Sequence, residues 1–239
     1  MRFDILTLFP EIFAGYMRQS ILNKAIEKEM VSLNVHNMRD WCTDKHQKID
    51  DRPFGGGPGM ILMVEPVVKC VRDVTSQHSA PPKTILLTPT GRRLDQPLIE
   101  ELAVEPRLML LCGRYEGFDQ RVSDIVEPME VSIGDYILNG GEVAAMVMVD
   151  SLVRMIPGVL GDEFSNIDDS FSRGNRLLEY PQYTRPRDFE GHSVPEVLLN
   201  GNHAAIDAWR KQKSLEKTVN RRSDLLDQHD IKLDSKKNR

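Results

Sequence analysis

Three glycine-bearing segments contain the residue types from which a ligand-binding site could be built. They are LLTPTG (residues 86–91), CGRYEGFD (residues 112–119) and SIGDYILNGGE (residues 132–142). Glycine lets the backbone approach a bound molecule closely, because it has no Cβ. The acidic side chains of these segments, at Glu116, Asp135 and Glu142, repel phosphate and attract positive charge. The segments therefore predict a pocket for a cationic ligand, such as a sulfonium, rather than for a pyrophosphate.

The segment DRPFGGGPGM (residues 51–60) is the most glycine-rich part of the chain. It lacks the lysine that completes a phosphate-binding GxxxxGK[ST] loop, so a nucleoside triphosphate site is disfavoured. Arg52 could still donate hydrogen bonds to a phosphate or a base. An ordinary surface loop is the alternative for this segment, and a turn that requires positive φ is the alternative for CGRYEGFD.

Short apolar runs of strand length alternate with segments that are long enough for helices. The predicted strands are RFDILTLF, VSLNVHNM, KTILLTP, RLMLLCG and MEVSIG, and the predicted helices cover residues 21–26, 65–74, 96–104 and EVAAMVMVDSLVRM. Nearly continuous apolar strands are typical of a parallel sheet with helices on both faces, so the predicted fold class is α/β. Because the three glycine-bearing segments end or follow predicted strands, we expect them to meet at the carboxyl edge of the sheet.

The chain divides into three parts by pattern. Pro157-Gly158 ends the apolar helix and closes a first domain, residues 1–160. Residues 161–185 are polar and lack a sustained period, which predicts a flexible interdomain linker. Residues 186–239 contain apolar positions at helical spacing among basic ones, which predicts a small helical domain.

Charge is distributed unevenly along the chain. From Asn202 onward there are ten Lys and Arg against six Asp and Glu, although the whole chain has a net charge of -5. A basic helical end on an acidic body indicates a polyanionic partner such as a nucleic acid. A solvated helix face is the alternative.

Composition is that of a globular protein, with 40% hydrophobic and 28% charged residues in 239. Cys42, Cys70 and Cys112 are odd in number and widely spaced, which predicts free thiols rather than disulfides or a zinc site. The sequence begins without a leader-like pattern and has no run of 18 apolar residues. We therefore expect a cytoplasmic protein without a membrane span.

Six motifs together resemble those of TrmD, the bacterial tRNA (guanine-N1)-methyltransferase family within the SPOUT methyltransferases. They are DRPFGGGPGM, LCGRYEG, IGDYILNGGE, RMIPGVLG, DSF and YPQYTRP, and the resemblance extends from LFPEIF to WRKQKSL. It implies a SPOUT-type parallel sheet with a C-terminal deep trefoil knot, followed by a small all-α C-terminal domain. It also implies a homodimer in which the partner chain completes each active site.

The resemblance implies a reaction and the residues that perform it. A methyl group passes from S-adenosylmethionine to N1 of the guanosine immediately 3' of the anticodon, position 37 of tRNA. Asp169 of DSF is the implied base for the N1 proton, and Arg154 is the cation that stabilises charge on O6. The implied S-adenosylmethionine contacts are Leu86, Leu87, Thr88, Gly113, Tyr115, Glu116, Gly117, Ile133, Gly134, Asp135, Tyr136, Ile137, Leu138, Gly140 and Gly141.

The resemblance also implies contacts to the tRNA. Arg52, Pro58 and Gly59 would contact the guanine, and Arg210 and Lys211 would hold phosphates. Mg2+ is associated with the family, but no residue of this chain is assigned to it, so no metal site is predicted.

From the residues alone, other interpretations stay open. Asp169 could cap a helix, and Arg154 could interact with a helix dipole. The alternative functions are a SPOUT ribose 2'-O-methyltransferase, a non-catalytic RNA-binding protein and a nucleotide hydrolase that uses GGGPG. The chain departs from the family pattern at TPTG, in place of SPQG, and at Ala144, in place of proline.

Overall fold

The computed structural model describes residues 1–160, 169–173 and 176–228. The chain divides into two units, Met1–Gly161 and Asp162–Arg239. The strands of the first unit are β1 (Arg2–Thr7), β2 (Ser32–Asn37), β3 (Asp50–Asp51), β4 (Ile61–Leu62), β5 (Lys83–Arg93), β6 (Arg107–Cys112) and β7 (Met129–Ser132). Its helices are α1 (Ile12–Tyr16), α2 (Ser20–Glu27), α3 (Val64–Ser76), α4 (Gln96–Leu102), α5 (Gln120–Val126) and α6 (Gly141–Val153), with a 3-10 turn at Met38–Trp41.

A five-stranded parallel sheet forms the centre of the first unit, in the order β2-β1-β6-β5-β7. Every residue of β6, the central strand, is buried, and only Arg2 of β1 is partly exposed. Burial on both faces explains why these strands are apolar along almost their whole length. The predicted α/β class with a parallel sheet is confirmed.

Alternate side chains of the sheet enter two hydrophobic cores, one on each face. Phe3 and Ile5 of β1 belong to a buried cluster that includes residues of α1, α2, α4 and α6. Leu6 belongs to a second cluster with residues of α3, α5 and the 3-10 turn. Helices therefore cover both faces of the sheet, as the apolar strands predicted.

Local signals place the helices close to their predicted bounds. α4 begins after Asp95, whose carboxylate accepts a hydrogen bond from Leu98 N at 3.0 Å, and Pro97 lies in its first turn. The helix predicted to reach residue 104 ends at Leu102. α1 and α5 were not predicted, because 5 and 7 residues are too few for an apolar period to be recognised.

The second unit contains a short hairpin as well as helices. Its elements are β8 (Asp188–Phe189), β9 (His192–Ser193), α7 (His203–Arg221) and α8 (Asp224–Gln228), with a 3-10 turn at Glu196–Leu198. Glu190 and Gly191 join the antiparallel strands with φ of 49° and 83°, as a tight hairpin turn requires. The expectation of an all-α C-terminal domain was wrong, because this unit contains the hairpin. Residues 161–168 and 174–175 of the expected linker lie outside the described residues.

A buried ion pair joins the amino ends of the neighbouring strands β1 and β6 to the end of α3. Arg107 of β6 and Asp4 of β1 are 1% and 0% exposed, and Arg107 Nε lies 2.7 Å from Asp4 Oδ2. The other guanidinium N–H groups donate to the carbonyl oxygens of Val74, Thr75 and Ala80 at 2.6, 3.2 and 2.8 Å. One side chain thus satisfies both a buried carboxylate and the last carbonyls of a helix.

Asp4 stays ionised although it is buried, because three side chains donate to it. Besides Arg107, Arg2 Nη2 lies 2.7 Å and His36 Nε2 lies 3.1 Å from Asp4 Oδ1. Burial by itself would raise the pKa of Asp4, but the hydrogen bonds from His36, Arg2 and Arg107 outweigh it and hold that pKa well below its usual range. The buried charge is tolerated only while these donors are present.

Arg107→Met should lower the free energy of unfolding by roughly 3–5 kcal/mol, because it leaves a buried carboxylate without its buried cation. Urea titration measures the effect. Lys69→Met is the matched control, since its ammonium pairs with Glu65 at 2.6 Å on the exposed side of α3. Loss of such a surface pair is expected to cost less than about 1 kcal/mol. Equal effects of the two substitutions would contradict the role assigned to Arg107.

Candidate active site

The carboxyl ends of β5, β6 and β7 meet at one edge of the sheet, because these strands are parallel and adjacent. The glycine-bearing segments that follow them enclose a cavity of about 390 Å³. Of the residues predicted to contact the cofactor, Asp135 lies outside the cavity lining. Those that line it are Leu86, Leu87, Thr88, Gly113, Tyr115, Glu116, Gly117, Ile133, Gly134, Tyr136, Ile137, Leu138, Gly140 and Gly141. The structure brings these residues together, and their binding role stays a prediction.

Close backbone contacts require glycine at two positions of this cavity. Gly141 N donates to Gly113 O at 2.9 Å, and a Cβ on Gly141 would lie 2.7 Å from Cys112 Cα. Gly134 has a φ of 151°, and a Cβ there would overlap the ring of Tyr136. The turn after β6 therefore packs at backbone distance against the start of α6, which leaves no room for a side chain.

Glu142 does not supply the cavity with the negative charge that the sequence suggested. Its carboxylate is 1% exposed and lies 2.9 Å from Arg114 Nε, and it accepts a hydrogen bond from the Thr7 hydroxyl at 2.8 Å. The guanidinium of Arg114 also stacks 4.6 Å from the ring centre of Phe9. The expectation for Glu142 was wrong because a cation from another segment neutralises it.

Two acidic residues, Glu116 and Glu130, and the basic residue Arg114 do belong to the cavity lining. Sequence reasoning missed Glu130 because it lies within β7, where it accepts hydrogen bonds from Ser123 and Thr90, each at 3.3 Å. Arg114 was also missed, although its place between the glycines of CGRYEGFD was a signal. Since the guanidinium already pairs with a buried carboxylate, the lining suits a cationic ligand.

The glycine-rich loop between β3 and β4 is joined to the turn that follows β6. Glu116 N donates to Met60 O at 3.0 Å, and Leu62 N donates to Gly117 O at 2.9 Å. Gly59 packs so closely against Glu116 that a Cβ would overlap its side chain. One predicted guanine contact thus lies beside a carboxylate that lines the cavity.

A second cavity, of about 1020 Å³, is lined by the first part of the same loop, including Arg52. Lys48 and Arg121 also line it, but they pair with the carboxylates of Asp51 and Asp119 at 2.9 and 2.6 Å. Phe118 lines both cavities. Pro58 lies outside the lining of both. The two cavities therefore adjoin, and Arg52 is placed in the lining of the second one.

The two predicted catalytic residues belong to different units. Arg154 is exposed and directly follows α6, a position that also suits an interaction with the helix dipole. Asp169 is partly buried and begins a turn, residues 169–173, in which Ser172 N donates to Asp169 O at 3.1 Å. No helix starts in this Asp169 turn, so the alternative in which the carboxylate caps a helix is not supported.

The residues predicted to hold tRNA phosphates differ in their surroundings. The guanidinium of Arg210 lies 4.9 Å from the ring centre of Tyr180 and 3.9 Å from Asp207. Lys211 is exposed on α7. Arg210 thus has a packing role within its unit, whereas Lys211 faces solvent.

The three cysteines carry free thiols, as predicted. Burial raises the pKa of Cys112 well above its usual value, so this thiol is unreactive at neutral pH. Within the described ranges, no three His, Cys, Asp or Glu side chains are grouped to hold a metal ion. In the same residues, no helix combines the length and the apolar character needed to cross a bilayer.

Fold and site together define an α/β protein with a small-molecule cavity at a sheet edge and a second unit that carries a basic helix. The profile of the family described as tRNA (Guanine-1)-methyltransferase TrmD matches residues 1–228. A tRNA (guanine-N(1)-)-methyltransferase of Rhodopirellula baltica is 65% identical over 230 residues, covering 96% of this chain and 95% of the relative. One of Bacillus cereus is 51% identical over 237 residues, covering 99% and 96%. The chain belongs to the TrmD family, as its motifs indicated.

Proposed function

We propose that this protein is a tRNA (guanine-N1)-methyltransferase that uses S-adenosylmethionine to methylate guanosine 37. Membership of the TrmD family and the names of two relatives support the reaction. The observation that carries the proposal is the cavity at the carboxyl edge of the sheet, because the family motifs build it. Since tRNA is the substrate, we place the reaction in the cytoplasm.

The cavity suits S-adenosylmethionine in size and charge. Its volume of about 390 Å³ lies in the range of small-molecule sites. Glu116 and Glu130 favour a sulfonium, and the lining includes no lysine for a pyrophosphate. The glycine-bearing turns present backbone N–H and C=O groups to the nucleoside. When bound there, S-adenosylmethionine supplies the methyl group.

Asp169 and Arg154 divide the chemistry at the guanine. N1 carries a proton in neutral water, so the N1–H bond must break as the N1–carbon bond forms and the sulfonium becomes a thioether. The carboxylate of Asp169 accepts that proton, although a lone carboxylate is a weak base. Arg154 makes the step easier because it stabilises the negative charge that grows on O6. No residue is assigned to Mg2+.

Recognition of tRNA divides between phosphates and the target base. The basic side chains of α7, including Arg210 and Lys211, hold phosphates and make binding depend on salt. The guanine has to leave its stack to reach the methyl donor. Arg52, Pro58 and Gly59 are the proposed contacts to the flipped base, and the second cavity supports this for Arg52.

A homodimer is supported by apolar side chains exposed on the first unit. Val143 and Val147 of α6 are 53% and 42% exposed, although α6 is otherwise apolar and largely buried. Phe9 and Ile12, just before and within α1, are 43% and 41% exposed. Apolar side chains that lie together on an exposed surface often mark a protein–protein interface. A second copy of the chain is the proposed cover, and it would complete the active site.

The pairing of β5 with β7 is interrupted by a bulge. Residues Ile85 to Leu87 pair with β7, the chain then leaves it, and Arg92 and Arg93 pair with β7 again. Leu94 N donates to Ser132 O at 2.7 Å just beyond this second pairing. The intervening residues 88–91 bulge out of this pairing within β5. We propose that the chain beyond β7 is threaded as the family fold implies, an exception to unknotted topology.

Labelled methyl transfer to two tRNA transcripts tests the function directly. The transcripts differ only in having guanosine or adenosine at position 37, and the product nucleoside is identified by mass spectrometry. We expect 1-methylguanosine from the first transcript and no product from the second. A 2'-O-methylated nucleoside would support the ribose methyltransferase instead, and binding without product would support a non-catalytic RNA-binding protein.

Asp169→Asn should lower the rate of methyl transfer by roughly 10²–10⁴-fold, because the amide cannot accept the N1 proton. S-adenosylmethionine affinity should stay near normal, since Asp169 is not among the residues that line the cavity. Single-turnover rates and calorimetry measure the two effects. Asp188→Asn, in the hairpin of the same unit, is the control. Near-normal turnover of Asp169→Asn would remove Asp169 from the mechanism.

Gly134→Val should weaken S-adenosylmethionine binding for two reasons. The backbone φ at this position is unfavourable for valine, and the new side chain overlaps the ring of Tyr136 in the cavity wall. Calorimetry measures the change in Kd. Gly191→Val is the matched control, since Gly191 has a φ of 83° but lies in the hairpin of the second unit with no atom near a new Cβ. Unchanged affinity of Gly134→Val would argue against this cavity as the cofactor site.

A further inference from the structure

Two hydroxyl groups of α7 bond to both backbone groups of Leu178. Ser214 Oγ donates to Leu178 O at 2.6 Å, and Leu178 N donates to Thr218 Oγ1 at 2.9 Å. Thr218 Oγ1 also donates to Ser214 O at 2.8 Å, so the two side chains form one connected set. They are 4% and 0% exposed. This hydroxyl pair, Ser214 and Thr218, therefore holds the chain against α7 by buried and directional bonds.

The same stretch of chain also holds the Asp169 turn. Glu179 N donates to Ser170 Oγ at 2.9 Å, and Phe171 N donates to Leu177 O at 2.9 Å. Leu177 and Glu179 stand on either side of the residue that the hydroxyl pair binds. The Asp169 turn is thus connected to α7 through one intermediate segment, and each connection is a hydrogen bond that fixes a direction.

Two basic side chains strengthen this connection. Lys217 Nζ donates to Glu179 O at 2.9 Å, and the guanidinium of Arg222 lies 5.8 Å from the ring centre of Phe171. These contacts lie on the side of the helix that faces the Asp169 turn. The attachment therefore combines hydrogen bonds, charge and aromatic packing rather than depending on a single contact.

Exposed cations lie on α7 beside the hydroxyl pair. Lys211 precedes Ser214 by three residues, and Arg221 follows Thr218 by three, so all four share one stripe of the helix. Both basic side chains are exposed. A tRNA phosphate held at this stripe would fix the part of α7 to which the Asp169 turn is connected.

We propose that the hydroxyl pair positions Asp169 for proton removal, so that the helix that binds tRNA also sets the placement of the base. The inference rests on the proposed function, in which α7 contacts tRNA and Asp169 accepts the N1 proton. The positioning residues are Ser214, Thr218 and Ser170, since they affect proton removal only by placing Asp169. Misplacing a catalytic group by about 1 Å can lower a rate by about 100-fold, so loss of one directing bond should appear in the chemical step.

Thr218→Val tests the proposal, because it keeps the shape of the side chain and removes the oxygen that accepts from Leu178 N. At saturating S-adenosylmethionine and tRNA transcript, the single-turnover rate should fall by about 10–100-fold. The Kd for S-adenosylmethionine and the Kd for the transcript should each change by less than about threefold, because neither the cavity nor the exposed cations are altered. Circular dichroism confirms that the compared variants are folded.

Two further substitutions separate positioning from loss of structure. Thr218→Ser restores the hydroxyl and should return the rate to within about threefold of the unsubstituted protein, since its oxygen can occupy the same place. Val219→Thr is the control. It exchanges a methyl group and a hydroxyl group at the adjacent, more exposed position, and it should leave the rate unchanged. If Thr218→Val does not fold, Ser170→Ala decides instead, because it removes the acceptor of Glu179 N and should also lower the rate at saturation.

The outcomes distinguish this proposal from the function on which it rests. If the unsubstituted protein transfers methyl groups, Asp169→Asn does not and folded Thr218→Val is fully active at saturation, the positioning role is overturned and the function stands. If Thr218→Val changes only the Kd for tRNA and not the rate at saturation, the positioning role is likewise overturned and the function stands. If the unsubstituted protein makes no 1-methylguanosine, or Asp169→Asn is fully active, the function or the role of Asp169 fails, and the positioning role fails with it.

Discussion

The first unit depends on the complete pairing of one buried carboxylate. Asp4 lies on β1, the second strand in the sheet order, and its side chain is fully buried. An ionised group there would oppose folding if any of its donors were missing. Arg107 supplies a buried donor and at the same time binds the carbonyls at the end of α3. The amino ends of the two strands are thereby held to the helix layer, and the cavity lies at the opposite, carboxyl edge of the sheet.

At the carboxyl edge of the sheet, the charge of the cavity depends on which side chains are paired, and not only on how many acidic residues lie there. Glu142 and Arg114 neutralise each other beneath the turns, while Glu116 and Glu130 remain in the lining of the cavity. The backbone turns can approach one another only because glycine stands where a Cβ would collide. The cavity thus combines closely packed turns with two acidic residues in its lining, which agrees with the proposed sulfonium donor.

The second unit uses buried hydroxyls where the first uses a buried ion pair. Ser214 and Thr218 bind an irregular segment to α7, and that segment holds the Asp169 turn. Serine and threonine within a helix usually bond only to the preceding turn. Here Ser214 and Thr218 each satisfy a backbone group of Leu178, and only Thr218 also bonds to the preceding turn of α7. The polar residues of α7 therefore have a structural role beside the basic ones.

By itself the sequence determined the α/β class, the five strands, most of the helices, the family and the three segments around the cavity. Apolar period, helix caps and glycine-rich motifs are local, so they can be read without a fold. Only the tertiary structure decided that Glu142 is neutralised, that Glu130 and Arg114 line the cavity and that a hairpin precedes α7. It alone connected Thr218 to the Asp169 turn. Ion pairs and hydrogen bonds between distant segments form only where the fold brings those segments within contact distance. A local sequence pattern carries no information on that distance.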